Sequence, residues 1–225
     1  PKDFRDDTIE AMATSRVVCE HIHLPVQSGS DPVLRRMKRA YNRARYLDKV
    51  RKVRAAIPDV AITTDIIVGF PSETEEEFAD TLSLVEEVRY DAAFTFQYSP
   101  RPMTEAAEHD GHLPKGIVQE RYDRLASLQD AITLEHNRAM VGRTEELLVE
   151  GASKKDAAKL TGRTRTNKLV HFDADGSEPG SFQTVEVVSA HSHHLEGRVA
   201  GRPARARSSM SLPLVSAGAG CSSCP

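Results

Sequence analysis

The stretch TTDIIVGFPSETEEEF, Thr63 to Phe78, sets a carboxylate, Asp65, ahead of a Gly69-Phe70-Pro71 turn and the backbone N–H groups that follow it to Glu73. At the carboxyl end of a parallel strand, that combination suits a bound polar cofactor. The same GFP is also consistent with a plain tight turn. The thiols offer less. Cys19, Cys221 and Cys224 are the only cysteines, and the C-x-x-C of the last two is half of a tetrahedral zinc site without the strand-to-helix setting of a redox pair. Cys19, among Val17, Val18 and Ile22, reads as a buried strand thiol. His191, His193 and His194 lack partners at metal-ligand spacing and read as polar strand or turn positions, so no metal site is expected.

The elements that must position these residues alternate. Val17 to Leu24 reads as a strand, followed by a helix for which Asp31 and Pro32 supply the N-cap and first turn. Tyr46, Val50, Val53 and Ile57 share one face of a second helix that stops before Pro58. Ala61 to Val68 is a β-branched strand, and Thr74 with Glu77 forms a capping box opening a helix that aligns Phe78, Leu82 and Val85. A strand from Ala92 to Tyr98 leads into the loop Ser99 to Pro114, long enough to be functional, and then a long helix through Leu125, Leu128 and Ile132. Strands alternating with helices imply a parallel sheet of α/β class.

From about residue 139 the period changes. Glu145 to Val149, Leu160 to Thr166, Lys168 to Phe172, Thr184 to Ala190 and Leu195 to Val199 are short β-prone runs suited to a small all-β barrel. Beyond Gly201 the Ser, Ala, Gly and Pro content is that of a disordered tail. With 39% apolar residues the chain can bury a core, and no run approaches a membrane span. No signal peptide or disulfide framework is visible, so a reducing, cytoplasmic setting fits.

The net charge of −3 conceals strong local asymmetry. Asp31 to Arg54 holds ten Lys and Arg against two Asp, a polyanion-facing surface or a solvated helix pair, while Glu73 to Asp91 holds eight acids against one Arg. Gly151 to Phe172 carries six basic residues against one Asp, a solvated hairpin or an RNA-binding face with Asn167, His171 and Phe172 available for a stacked base.

HIHLPVQSGSDPVLRRMKRAY from His21, PDVAITTDIIVGFPSETEEEF from Pro58 and VRYDAAFTFQYSPRP from Val88 resemble, in order, motifs of the radical S-adenosylmethionine methylthiotransferases. Within them, HLPVQSGS and GRTRTN resemble the branch acting on isopentenyl-adenosine beside the tRNA anticodon, and GRTRTNKLVHF resembles the TRAM domain. The resemblance implies the second half of a partial (β/α) radical-SAM barrel over residues 1–138, an OB-like TRAM barrel binding RNA over 139–200, and a tail over 201–225. It implies a radical transfer of a methylthio group to C2 of the adenine, using S-adenosyl-L-methionine, two [4Fe-4S] clusters and an electron donor. It further implies cofactor contacts from Gln27, Ser28, Asp65, Ile67, Gly69, Tyr98, Ser99 and Arg101, and tRNA contacts from Lys154, Lys155, Arg163, Arg165, Asn167 and Lys168.

Family members carry a C-x-x-x-C-x-x-C triad and three further cysteines upstream, none of which is here, and this chain opens at Pro1. The expectation is the C-terminal part of a longer enzyme, unable by itself to hold either cluster or act. Where the family usually has Gly after the Arg-Pro pair, this chain has Met103. A methylthiotransferase acting on threonylcarbamoyl-adenosine or a ribosomal protein, or an RNA-binding protein without catalysis, would share much of this pattern.

Overall fold

Strand and helix alternate through the first part of the computed structural model, which describes residues 1–200 apart from 2, 155, 157, 174 and 175. In chain order come α1 (Asp6–Thr14), β1 (His21–His23), α2 (Asp31–Arg36), α3 (Arg43–Ala56), β2 (Ala61–Val68), α4 (Glu75–Val88), β3 (Ala92–Gln97), α5 (Glu105–Glu108) and α6 (Lys115–Arg138). Then follow β4 (Thr144–Ala152), β5 (Lys159–Thr164), β6 (Leu169–Asp173), β7 (Phe182–Ala190) and β8 (Leu195–Val199). The expected tail, with Cys221 and Cys224, and Lys155 lie outside the described residues.

β1, β2 and β3 form a parallel sheet in that order. Side chains alternate across β2: Ile62, Thr64, Ile66 and Val68 are buried toward the helices, while Asp65 and Ile67 are half-exposed on the other face. The helix side joins Val50, Val53, Phe78, Leu84, Val85, Tyr90 and Leu125 in one apolar core. The capping box of α4 forms as expected, with Thr74 Oγ1 accepting from Glu77 N–H and the Glu77 carboxylate accepting from Thr74 N–H, worth about 1 kcal/mol.

The first strand is shorter than expected. Only His21–His23 pairs with β2, and Val17, Val18 and Cys19 are exposed, because the Val18 carbonyl accepts from the Arg165 side chain instead of a neighbouring strand. Cys19 is therefore a surface thiol rather than a core one. After His23 the ladder breaks at Leu24-Pro25-Val26, where Pro25 has no N–H to give. Side chains replace the missing partners: Tyr46 Oη and Thr64 Oγ1 donate to the Leu24 carbonyl, and Val26 N–H donates to Thr64 Oγ1. Burial pushes the Tyr46 and Tyr90 phenols upward, so both stay neutral and hydrogen-bonded to each other at 3.0 Å.

Asp31 is not the N-cap of α2. Ser30 occupies that position without a side-chain cap, and the Asp31 carboxylate accepts from Arg43 N–H at the start of α3. The opposed charge runs of α2–α3 and α4 meet where Arg36 grips Glu77 through two hydrogen bonds of 2.9 and 2.6 Å and Arg43 reaches Glu87 at 3.0 Å, while Arg54 donates to the Val88 carbonyl that ends α4 and to the Arg89 carbonyl after it.

β4 to β8 close into a barrel in the order β4-β5-β6-β8-β7, with β6 and β8 parallel and the remaining pairs antiparallel, consistent with an OB-like Greek key. Leu147, Val149, Val170, Phe172, Val185, Val187 and Leu195 fill its interior as a second core. Phe172 is only 1% exposed and cannot stack on a base, because alternation along β6 turns it inward.

Candidate cofactor and nucleic-acid sites

A cavity of ≈ 740 Å³ opens at the carboxyl ends of the parallel strands, lined by Gln27, Asp65, Ile67, Phe96, Tyr98 and Arg101 among others. Ser99 also lines it, as do Arg36, whose charge is met by Glu77, and Lys38 and Arg39, which follow α2. Gln27 is reached by a short resumption of strand pairing, its N–H donating to the Asp65 carbonyl and its own carbonyl accepting from Ile67 N–H. Its φ of 71° and the 54° of Lys38 are left-handed values uncommon outside glycine and concentrated at functional sites. Tyr98 packs edge-on to Phe70 at 5.2 Å, and its hydroxyl is buried with no hydrogen-bond partner among the described residues. An orphaned donor on a cavity wall is what a bound polar ligand would satisfy.

Two residues expected here lie elsewhere. Ser28 is fully buried, with Oγ 3.2 Å from Thr81 Oγ1 and accepting from Ser30 N–H, so it pins the loop to α4. Gly69 (φ 75°) faces α6, where a Cβ would stand 2.7 Å from the Val118 methyls. Close packing of α6, and not approach of a cofactor, is what requires glycine there. Gly69 N–H donates to the buried Glu73 carboxylate, which also accepts from Arg121 at 2.9 Å. Burial is the largest influence on Glu73 and pushes its carboxyl upward against these two partners. Met103, in the place of the family's Gly, still takes a left-handed φ of 64° and leaves its side chain 99% exposed.

The open face of the sheet continues from this cavity toward the barrel. His23 Nε2 is 3.4 Å from Asp65 Oδ1, and His23 Nδ1 and His21 Nε2 each lie 3.0 Å from Thr63 Oγ1. The hydroxyl has a single proton to donate, so at least one facing imidazole nitrogen carries its own. Burial, ahead of the neighbouring His23, pushes His21 downward and favours its neutral form.

At the amino ends of the strands the barrel docks. Arg165 makes paired hydrogen bonds of 2.7 and 2.8 Å to the Glu20 carboxylate, and Lys168 Nζ lies 3.2 Å from Asp91 Oδ1. The bond from Arg165 is the main cause that holds the Glu20 carboxyl below its usual range. Asp91 meanwhile accepts from Ile62 N–H, tying the seam to β2. Arg165 and Lys168 thus hold the two modules together rather than standing free for RNA. Arg163 is half-buried, donating to the Asn167 carbonyl and 3.5 Å from Glu150, while Asn167 and Lys154 are exposed. Arg163, Asn167 and Lys168 share a cleft of ≈ 280 Å³ with His21, His23 and Phe94.

The histidines read from the sequence as lacking ligand spacing also converge. His191, His194 and Glu196, an H-x-x-H-x-E run around the β7–β8 turn, bring their ligand atoms within 4.8 Å of one another, a spacing that sequence reading passed over.

Residues 1–85 match the Radical SAM superfamily and residues 138–200 the TRAM domain. Over 200 residues, 87% of this chain and 38% of the other, it is 58% identical to a tRNA-2-methylthio-N(6)-dimethylallyladenosine synthase of Mycobacterium ulcerans. The protein of the same name in Mycobacterium bovis is 56% identical over the same share of this chain and 39% of its own length. The chain spans about two fifths of the length of the curated relatives it matches. Among solved structures, the radical SAM enzyme coproporphyrinogen III oxidase (HemN) of Escherichia coli is 15% identical with a TM-score of 0.48, covering 83% of this chain and 44% of that one. No helix among the described residues is long and apolar enough to cross a membrane.

Proposed function

We propose that this chain is the cofactor-binding and RNA-binding portion of a tRNA methylthiotransferase that modifies C2 of isopentenyl-adenosine beside the anticodon. The observation that carries this reading is the cavity at the strand carboxyl ends, with its orphaned Tyr98 hydroxyl, in a chain so similar to the named synthases. On this reading residues 1–138 are the second half of a partial (β/α) barrel and residues 139–200 are the RNA-binding module.

The donor set fits S-adenosyl-L-methionine, which when bound supplies radical and methyl-transfer chemistry. Asp65, Gln27 and Ser99 offer acceptors for its ammonium and ribose hydroxyls, Arg101 offers a guanidinium for its carboxylate, and Ile67 with Phe70 and Phe96 offers apolar walls for adenine. The three cysteines do not fit a four-iron cluster, which needs thiolates at fixed spacing. On this reading the cluster ligands are not supplied by these 225 residues.

Equilibrium binding of S-adenosyl-L-methionine tests the reading. Asp65→Asn and Arg101→Ala should each weaken binding by about 10- to 100-fold, since a hydrogen bond to a charged group is worth about 1.5–3 kcal/mol. Affinity unchanged in both variants would take the cofactor out of this cavity.

A further inference from the structure

The β7–β8 hairpin carries a cluster that the cofactor and RNA sites do not use. Its turn is Ser192-His193, closed by His191 N–H donating to the His194 carbonyl at 2.9 Å. Residues flanking a hairpin turn project to one face of the sheet, and here the two imidazoles stack at 4.4 Å with their planes 15° apart. Along β8, Leu195 is fully buried inside the barrel, so alternation sends His194 and Glu196 to the outer wall. β6 pairs with β8 in parallel, sets His171 opposite Glu196, and brings the His171 ring edge-on to His194 at 5.0 Å.

The turn is held from outside the barrel. Asn137, in the last turn of α6, donates its Nδ2 to the His191 carbonyl at 2.7 Å and the Ser192 carbonyl at 3.3 Å. Positions fixed by a helix and by two strand pairings bring one ligand atom each from His191, His194 and Glu196 within 4.8 Å of one another.

We propose that His191, His194 and Glu196 form a binding site for a first-row divalent cation of the zinc class on the outer wall of the barrel. Two imidazoles and one carboxylate are a borderline-soft donor set; magnesium and calcium take oxygen ligands instead. Three protein ligands leave the fourth tetrahedral position to water or an incoming anion. Lys159 Nζ, 3.5 Å from Glu196 Oε1, competes with the cation for that carboxylate.

The test is zinc titration, by calorimetry, of the full chain without a histidine tag and with Cys19, Cys221 and Cys224 changed to Ser, so that no thiol binds metal. Cobalt titration read by visible absorption reports the ligand geometry. One zinc per chain is expected, with His194→Ala and His191→Ala each weakening it by at least about 100-fold, since even outer partners of a ligand cost 10–100-fold. Glu196→Gln should weaken it less, and Lys159→Met should tighten it. His193→Ala is the control, because His193 sits in the same turn, 80% exposed, with its ring directed at Asp130. Circular dichroism checks the fold of each variant, and outer-wall substitutions should leave it intact. No saturable zinc uptake, uptake indifferent to His191 and His194, or uptake lost equally in His193→Ala would each overturn the assignment.

Discussion

The two ends of the parallel sheet carry similar side chains in opposite circumstances. At the carboxyl ends Asp65, Gln27, Tyr98 and Arg101 face a cavity, and one buried hydroxyl there has no partner among the described residues. At the amino ends Glu20 and Asp91 are met by Arg165 and Lys168 of the barrel. The difference teaches that a charge acquires its role from what faces it. A basic run read as an RNA surface is in part the fastening between two modules.

The carboxyl end should be broken most severely through its brace. Glu73→Gln removes the buried countercharge of Arg121, whose side chain is 5% exposed, and leaves it only the half-exposed Glu75 at 3.5 Å, so it should cost about 3 kcal/mol in urea unfolding. Pairing it with Arg121→Met should recover a large part. A loss below about 1 kcal/mol would mean the pair behaves as a surface ion pair, and the contrast between braced and fastened ends would fail.

Next in size is Gly69→Ala, with a left-handed φ and a Cβ in collision with Val118, for which about 2–4 kcal/mol is expected. Adding Val118→Ala should relieve the collision and leave the backbone strain. A variant that keeps full stability yet binds S-adenosyl-L-methionine poorly would return Gly69 to the cofactor site.

The amino end should respond more mildly. A double-mutant cycle on Lys168 and Asp91, whose side chains are 11% and 15% exposed, should give a coupling of about 1–3 kcal/mol. If the proposed RNA-binding reading holds, Lys154→Ala and Arg163→Ala should flatten the slope of log tRNA affinity against log salt by about 0.7–0.9 for each phosphate no longer neutralised. Arg165→Ala should leave that slope unchanged, because its guanidinium is engaged by Glu20. A flatter slope for Arg165→Ala would mean that the seam opens to bind RNA.

The Arg165–Glu20 pair also carries a pH signature. Glu20 is held below its ordinary 4.5, so its contribution is present above that value and lost as the pH falls through the lower folded value. With both side chains more than a third exposed or nearly so, that contribution should stay below about 1 kcal/mol. The stability gap between wild type and Glu20→Gln should close on acidification, and a gap that widens would reverse the sign. The smallest effect expected is for Met103→Gly, which relieves a left-handed φ in an exposed turn at some entropic cost and should change stability by less than about 1 kcal/mol.

The elements were legible because their signals are local. The α4 capping box spans four residues, the β-branched run of β2 eight, and the five barrel strands were each marked by short β-prone runs between Gly, Asp and Asn. Asp65, Gln27, Tyr98, Ser99 and Arg101 could be named through family likeness, and strand ends carry them to one cavity. Local signals also misled: the apolar Val17 and Val18 suggested a longer strand, and the chain turned outward there to meet Arg165.

What the tertiary structure alone decided are the pairings across long stretches of chain. Arg36 and Glu77 are 41 positions apart and Arg165 and Glu20 are 145 apart, so no sequence window shows whether these charges meet each other, solvent or RNA. The same holds for Gly69 against Val118 and for His171 beside His194 and Glu196. Side-chain period and capping are fixed by bonds within a turn or two of backbone, whereas the partner of a charge or an imidazole is fixed only when distant elements pack.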